Sequence, residues 1–295
     1  MTRIIPMFFP VKSICSLLLF SAFVASAANI DNATLTAVAR LQEERLGARI
    51  GIAVVDTVSG ETVSYRGDER FPLNSTHKAL LCGVLLSKVD KGELALNETT
   101  QFSQSELVAY SPVTSKFVAP SSMSWRQLCS AAVSESDNTA ANLVAKKLGG
   151  PAAVTRFFAD SGDSVTRLDR AEPELNSAVP GDLRDTTTPL AVSHTLQKLA
   201  LGEVLTPRSR AQLVQWMKED KVADALLRST LPKGWAIGDK TGAGGYGSRS
   251  IISIVWPKKG APRIVSIYIT DTKATMAQSN DAIARIGKAI FSATK

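Results

Sequence analysis

Strand-forming sequence lies at the two ends of this chain and hardly anywhere between. Near the start, "RIGIAVVD" (49–56) and "ETVSYR" (61–66) flank the turn "TVSG". Near the end, "GWAIGDKTG" (234–242), "SRSIISIVWP" (248–257) and "RIVSIYITDT" (263–272) are separated by Gly/Pro-rich turns. The simplest assembly is one antiparallel sheet built from both chain ends and flanked by helices, an α/β (α+β) fold with a mostly helical second lobe. Asp31 caps a first helix carrying Leu35, Val38 and Leu41 and ending near Gly47. The apolar run 79–89 stops at Gly92, "SDNTAANLVAKKLGG" opens with a capping segment, Pro151 starts the next helix, and "TPLAVSHTLQKLALG" is amphipathic. A last helix spans about 276–291, with Ile283, Ile286 and Ile290 on one face. The sheet lobe is expected over about 28–68 and 215–295, and the helical lobe over about 69–214. Within the latter, "RLDRAEPELNSAVPGDLRD" (167–185) has two prolines, charges of alternating sign and no sustained period. It reads as an ordered Ω-type loop, and long loops of this kind are usually functional.

The first 27 residues read as a leader. Arg3 and Lys12 precede an apolar run, 14–24, too short to span a bilayer comfortably, and Ala25-Ser26-Ala27 gives an A-x-A cleavage pattern. The alternative is a short membrane anchor. Export implies the periplasm, with no membrane attachment after cleavage. Cleavage also removes Cys15 and takes the formal charge from +7 to +5. Two cysteines then remain, Cys82 and Cys129. In an exported chain such a pair suggests one disulfide, the alternative being two buried thiols. The positive charges are scattered without aromatic interleaving, so no nucleic-acid partner is expected. Two histidines, His77 and His194, with no C-x-x-C or H-x-x-x-H spacing, give no metal site and no cofactor.

The chemistry begins at "NSTHKALLCGVLLSKVDKG" (74–92). Ser75 and Lys78 stand three apart, which on a helix places them on one face about 5–6 Å apart at Cβ. A serine hydroxyl is a poor nucleophile unless a base lies beside it. Lysine can serve if desolvation or nearby positive charge lowers its pKa. The plain alternative makes Ser75 an N-cap and Lys78 a solvated first-turn residue. Three further segments shift the balance: "SDN" (136–138), "EPELN" (172–176) in the suspected loop, and "KTG" (240–242) closing an apolar strand.

In order and spacing these four segments resemble those of the class A serine β-lactamases. The resemblance spans essentially the whole mature length, through "YSPVT" (110–114), "SDNTAANL", "LDRAEPELN", "GDLRDTTTP" and "KTGAGGYGSR". "RDTTTP", "AGGYGSRS" and "IVSIYI" look most like the carbenicillin-hydrolysing branch, although Lys240 stands where that branch usually has arginine.

The resemblance implies roles. Ser75 attacks the lactam carbonyl, with Lys78 assisting its deprotonation. The backbone N–H groups of Ser75 and Ala243, beside Gly242, form the oxyanion hole. Ser136 passes a proton to the departing nitrogen. Asn138 bonds Lys78 and the substrate amide, while Asp137 ties its own turn. Glu172, with Asn176, activates the deacylating water. Lys240, Thr241 and Arg249 receive the substrate carboxylate, and Tyr110 walls the cleft mouth. Arg170 and Asp185 pair to close the loop, and Cys82–Cys129 is a disulfide. The expected partner is a small β-lactam and the expected state a monomer. Asn74 and Gly244 occupy positions that are both Cys in the serine carbapenemases of this class. A penicillinase with weaker action on early cephalosporins, conferring antibiotic resistance, is therefore expected. The rival readings are a DD-peptidase, which lacks a deacylating glutamate, a β-lactam sensor domain fused to membrane segments, and a non-catalytic carboxylate-binding protein.

Overall fold

The computed structural model describes residues 1–2 and 30–293. The cleavage segment of the expected leader lies outside the described residues. Five strands, β1 (Arg49–Asp56), β2 (Thr62–Tyr65), β3 (Ala236–Ala243), β4 (Arg249–Trp256) and β5 (Arg263–Thr270), make one antiparallel sheet in the order β2-β1-β5-β4-β3. The pairing of β1 with β5, with Ile52 opposite Ile267, joins the two chain ends as the sequence implied. Both faces of the sheet are covered, so its strands read as nearly continuous apolar runs rather than alternating ones. Ile251 turns toward one core, with Ile283, Ile286 and Ile290, while Ile252 turns toward the other, with the helices of the chain's middle.

Helix α1 (Asn32–Leu46) begins where the Asp31 carboxylate accepts from Thr34 N at 2.7 Å, and it stops at Gly47, whose φ is 55°. Its buried face is Leu35, Ala39 and Gln42, with Val38 and Leu46 packed partly buried against the same core. At 3.6 residues per turn Leu41 falls a third of a turn off that face, and it is 59% exposed. The helical half comprises α2 (His77–Asp90), α3 (Trp125–Ser134), α4 (Asn138–Lys147), α5 (Pro151–Asp160), α6 (Pro189–Ala200) and α7 (Pro207–Lys218); α8 (Met276–Ala293) returns to the sheet. Every residue of α2 from His77 to Ser87 is buried, so α2 is the central helix. A 3₁₀ turn, Asn74–Thr76, leads into it.

The Ω-type loop is closed at its base. The Asp185 carboxylate accepts from Asp169 N (2.7 Å), Arg170 N (3.0 Å) and Arg170 Nε (2.6 Å), and Asp185 N donates to Asp169 Oδ2 at 2.9 Å. Beyond it, Thr186–Thr187 pairs with Phe71–Pro72, just before the 3₁₀ turn.

Cys82 and Cys129 form a disulfide between α2 and α3, 47 residues apart in sequence. In the chain-entropy account, cross-linking a loop of that length stabilises by about 4 kcal/mol. Chemical reduction is therefore expected to lower the urea midpoint without changing the far-ultraviolet dichroism of the native protein. An unaltered midpoint in the reduced protein would show that the bond stabilises nothing.

Candidate active site

The Ser75 turn is locally strained. Asn74 takes a left-handed φ of 46°, a conformation unfavourable for a non-glycine residue. Buried bonds hold it there: Asn74 Nδ2 donates to Ser248 Oγ at 2.8 Å, and His77 Nδ1 lies 2.8 Å from the Asn74 carbonyl. The turn then delivers Ser75 and Lys78 to one face. Lys78 Nζ donates to Ser75 Oγ (2.9 Å), to the Ser136 carbonyl (2.7 Å) and to Asn138 Oδ1 (2.5 Å), and lies 3.0 Å from Glu172 Oε1. Lys78 is wholly buried, which excludes the reading of a solvated first-turn lysine. Burial lowers its pKa from the ordinary lysine value, against the opposing pull of Glu172.

Ser136 and Asn138 reach Lys78 because Asp137 fixes their turn. Its carboxylate accepts from Val113 N and Thr114 N (2.9 Å each), Thr114 Oγ1 (2.8 Å) and Ala140 N (2.8 Å), so it caps α4 and ties it to the 110–114 segment. Asn138 Nδ2 donates to the Ala109 carbonyl at 2.8 Å. Asn138 N donates to the Tyr110 carbonyl at 3.0 Å, leaving the Tyr110 ring more than half exposed at the cleft mouth.

Glu172 is seated by a residue that the sequence reading did not single out. Asn142 donates from Nδ2 to the Glu172 carbonyl and accepts from Glu172 N, both at 2.8 Å. The available signal was its place four residues after Asn138, on the same face of α4. Asn176 Nδ2 donates to Glu172 Oε2. Two buried acceptors remain without an aligned donor, Glu172 Oε1 and Asn176 Oδ1; Lys78 is close enough to the former for an ion pair but off the hydrogen-bond direction. Burial raises the Glu172 pKa, but the charge of Lys78 beside it and the bond from Asn176 outweigh that effect, and the net direction is down. The loop is pinned to the sheet by Gly245 N donating to the Asn176 carbonyl at 2.8 Å.

β3 is an edge strand. Gly244 N bonds back to the Ser248 carbonyl, so by antiparallel alternation the Ala243 N–H points away from β4 toward the cleft. Gly242 has to lack a side chain: a Cβ there would sit 2.6 Å from Ser250 Oγ and 3.0 Å from Ser75 N. The Ser75 amide is thus packed against β3, one residue from Ala243. Lys240 Nζ donates to Ser136 Oγ (3.1 Å) and to the Thr241 carbonyl (2.9 Å). Burial brings the Lys240 pKa down to about 8. Arg249 is held by Asn280 Oδ1 (2.8 Å) and the Gly242 carbonyl (3.0 Å), and burial lowers its pKa to about 10. Behind Lys240 lie two buried acids absent from the sequence reading. Asp220 is pushed up by burial, and Asp239, paired with Arg228 at 2.8 Å, is pushed by burial to about 6. Ser75, Ser136, Asn138, Asn176, Thr241 and Arg249 open on one cleft of about 390 Å³.

The model of the Beta-lactamase enzyme family matches residues 33–294. The β-lactamase AER-1 of Aeromonas hydrophila is 52% identical over 258 residues, covering 88% of this chain and 85% of that one. Among solved structures, an ancestral (GNCA) class A β-lactamase aligns with a TM-score of 0.86 at 48% identity, over 88% of this chain and 99% of that one. The putative class A β-lactamase PenP from Rhodopseudomonas palustris gives 0.86 at 44% identity, over 88% and 99%. Agreement of sequence over almost the entire described length, and of fold at nearly half identity, makes this chain a member of the β-lactamase enzyme family, a class A enzyme that hydrolyses β-lactams.

Proposed function

We propose that the enzyme hydrolyses penicillins, including carboxypenicillins, and some early cephalosporins through an acyl-enzyme on Ser75, with Glu172 activating the deacylating water. The single observation that carries this reading is that Ser75 Oγ and Glu172 Oε1 both lie within 3.0 Å of one buried nitrogen, Lys78 Nζ.

Ser75 Oγ bonds to the lactam carbonyl carbon as its proton passes to the buried Lys78–Glu172 pair. Negative charge on the carbonyl oxygen meets the amides of Ser75 and Ala243, a contribution of about 3–4 kcal/mol per donor. The C–N bond breaks as Ser136 gives its proton to the nitrogen and is reprotonated from the Lys78 and Lys240 side. In the second half, water adds to the acyl carbon while Glu172 takes its proton, and Ser75 leaves with a proton returned from Lys78. Two buried acceptors lacking donors, Glu172 Oε1 and Asn176 Oδ1, suit a water that donates to both. Lys240, Thr241 and Arg249 hold the substrate carboxylate, Lys as a point charge and Arg as a fork. Asn138 bonds the substrate amide and Tyr110 walls the entrance. The likeness of "RDTTTP", "AGGYGSRS" and "IVSIYI" to the carbenicillin-hydrolysing branch supports the carboxypenicillin assignment. We further propose that residues 1–27 are a cleaved leader, that the mature chain is one catalytic unit of two lobes acting as a periplasmic monomer, and that it confers antibiotic resistance.

Glu172→Ala is expected to reduce benzylpenicillin turnover by about 10²–10⁴-fold and to trap an acyl adduct on Ser75 visible by mass spectrometry. Ser75→Ala should form no adduct. Steady, unreduced turnover by the glutamate variant would remove Glu172 from the mechanism. Equal acylation and no turnover in the unaltered protein would favour a penicillin-binding role instead.

The Lys240 ammonium is present below its pKa of about 8 and is lost as pH rises through it. KM for benzylpenicillin should therefore climb above pH 8 while kcat changes less, and Lys240→Arg should carry that limb at least a unit higher. A KM flat from pH 7 to 9.5 would mean that Lys240 either keeps its charge through that range or lies outside the carboxylate site, and an unchanged KM in Lys240→Ala would establish the second. On the acid side, Glu172 stays ionised below the ordinary glutamate range, so kcat should hold down to pH 5 and fall only below it.

A further inference from the structure

A second cavity, of about 140 Å³, lies behind the Ω-type loop, between its outer half and the ends of β1 and β5. Four arginines line it, Arg49, Arg70, Arg170 and Arg184, against two acids, Asp182 and Asp271. Their commitments differ. Arg184 is bound to Asp182, with Nη2 at 2.8 Å and Nε at 3.1 Å. Arg49 lies over the Phe71 ring at 4.1 Å and donates to Asp271 (3.2 Å), to the Arg70 carbonyl (3.0 Å) and, at a long 3.4 Å, to Glu69. Arg170 spends Nε on Asp185, and its Nη2 comes no nearer than 3.8 Å to Asp182. Arg70 is the outlier. Its Nη1 donates to the Val165 carbonyl and to Thr186 Oγ1, both at 2.9 Å, and it forms no ion pair among the described residues.

Arg70, Arg49 and Arg170 are thus held rigid by contacts that leave part of each guanidinium fork unused. Planar forks of this kind recognise oxyanions, and fixing them in advance removes the ordering cost of binding. Nothing in the hydrolytic cycle uses this cavity. It opens on the far side of the loop from Ser75, and none of the cleft-lining residues borders it.

We propose that this cavity binds a small divalent oxyanion of the phosphate class, gripped by Arg70 together with Arg49 and Arg170. The three arginines come from the sheet side and from the loop: Arg49 starts β1, Arg70 precedes the Phe71–Pro72 pairing, and Arg170 belongs to the loop base. A bound anion therefore cross-links the loop to the sheet. The inference is independent of which residue activates water.

The test uses the full mature protein and inorganic phosphate, compared with chloride at equal ionic strength. At phosphate concentrations several times the dissociation constant, the thermal midpoint should rise by about 2–4 °C. Arg70→Gln should abolish that rise. Arg249→Gln should retain it, because the substrate cleft is itself cationic and is the competing location. Hydrogen exchange on the unaltered protein gives the same answer without a variant: phosphate should slow amides within 167–186. No rise with the unaltered protein, an undiminished rise in Arg70→Gln, a rise lost in Arg249→Gln, or slowed exchange around 240–249 in place of the loop would each overturn the proposal.

Discussion

Everything in the cleft is arranged around one buried ammonium. Lys78 has no exposed surface, and removing a charge from water is costly unless it is paired and hydrogen-bonded. It is compensated by one carboxylate, Glu172, and by oxygens of Ser75, Ser136 and Asn138. These partners come from the 3₁₀ turn before α2, the turn before α4, α4 itself and the Ω-type loop. Each segment must therefore arrive for the others to be tolerated. Removing Glu172 would leave a buried cation with only neutral oxygens, so the same contact that holds the site together also sets its protonation balance.

The sheet supplies the complementary constraint. The Ser75 turn is pressed against an edge strand so closely that Gly242 admits no side chain, and Asn74 bridges to Ser248 across the same gap. This contact brings the Ser75 amide beside the strand that carries Ala243. An edge strand is ordinarily a liability because its N–H and C=O groups lack partners. Here the unpaired edge is turned into the cleft wall, which Thr241, Gly242 and Ala243 line. The two lobes thus contribute different things. The helical half places side chains, and the sheet places backbone donors and the cationic pair Lys240 and Arg249.

The strands, the capped helices and the loop were readable because each rests on local signals: apolar runs between Gly/Pro turns, Asp31 as a cap, the capping segment that opens "SDNTAANLVAKKLGG", Pro151 at a first helical turn. The pairing of both chain ends followed from where the strands fell. The convergence on Lys78 of Ser75, Ser136, Asn138 and Glu172 was suggested by motif order alone, since these residues are remote in sequence and no periodicity unites them. What escaped depends on three-dimensional neighbours. Asn142 looks like one more polar residue of α4 until the loop backbone is seen lying on it. Asp220 sits just past the end of α7, and only the fold puts it behind Lys240.

The Ω-type loop shows how rigidity and reactivity are reconciled. Its backbone is fixed at several points: Asp185 at the base, Asn142 at both backbone groups of Glu172, and Gly245 at the Asn176 carbonyl. Against that background three side-chain oxygens of the loop, Glu172 Oε1, Asn176 Oδ1 and Ser177 Oγ, stay buried without an aligned partner. Buried acceptors of this kind are rare in folded proteins because each forfeits a hydrogen bond. A loop held by so many backbone bonds can carry that deficit without shifting to relieve it. The deficit therefore persists beside Lys78, the buried cation with which Glu172 is paired. Fixing the main chain firmly is what allows three of its side-chain atoms to remain unsatisfied.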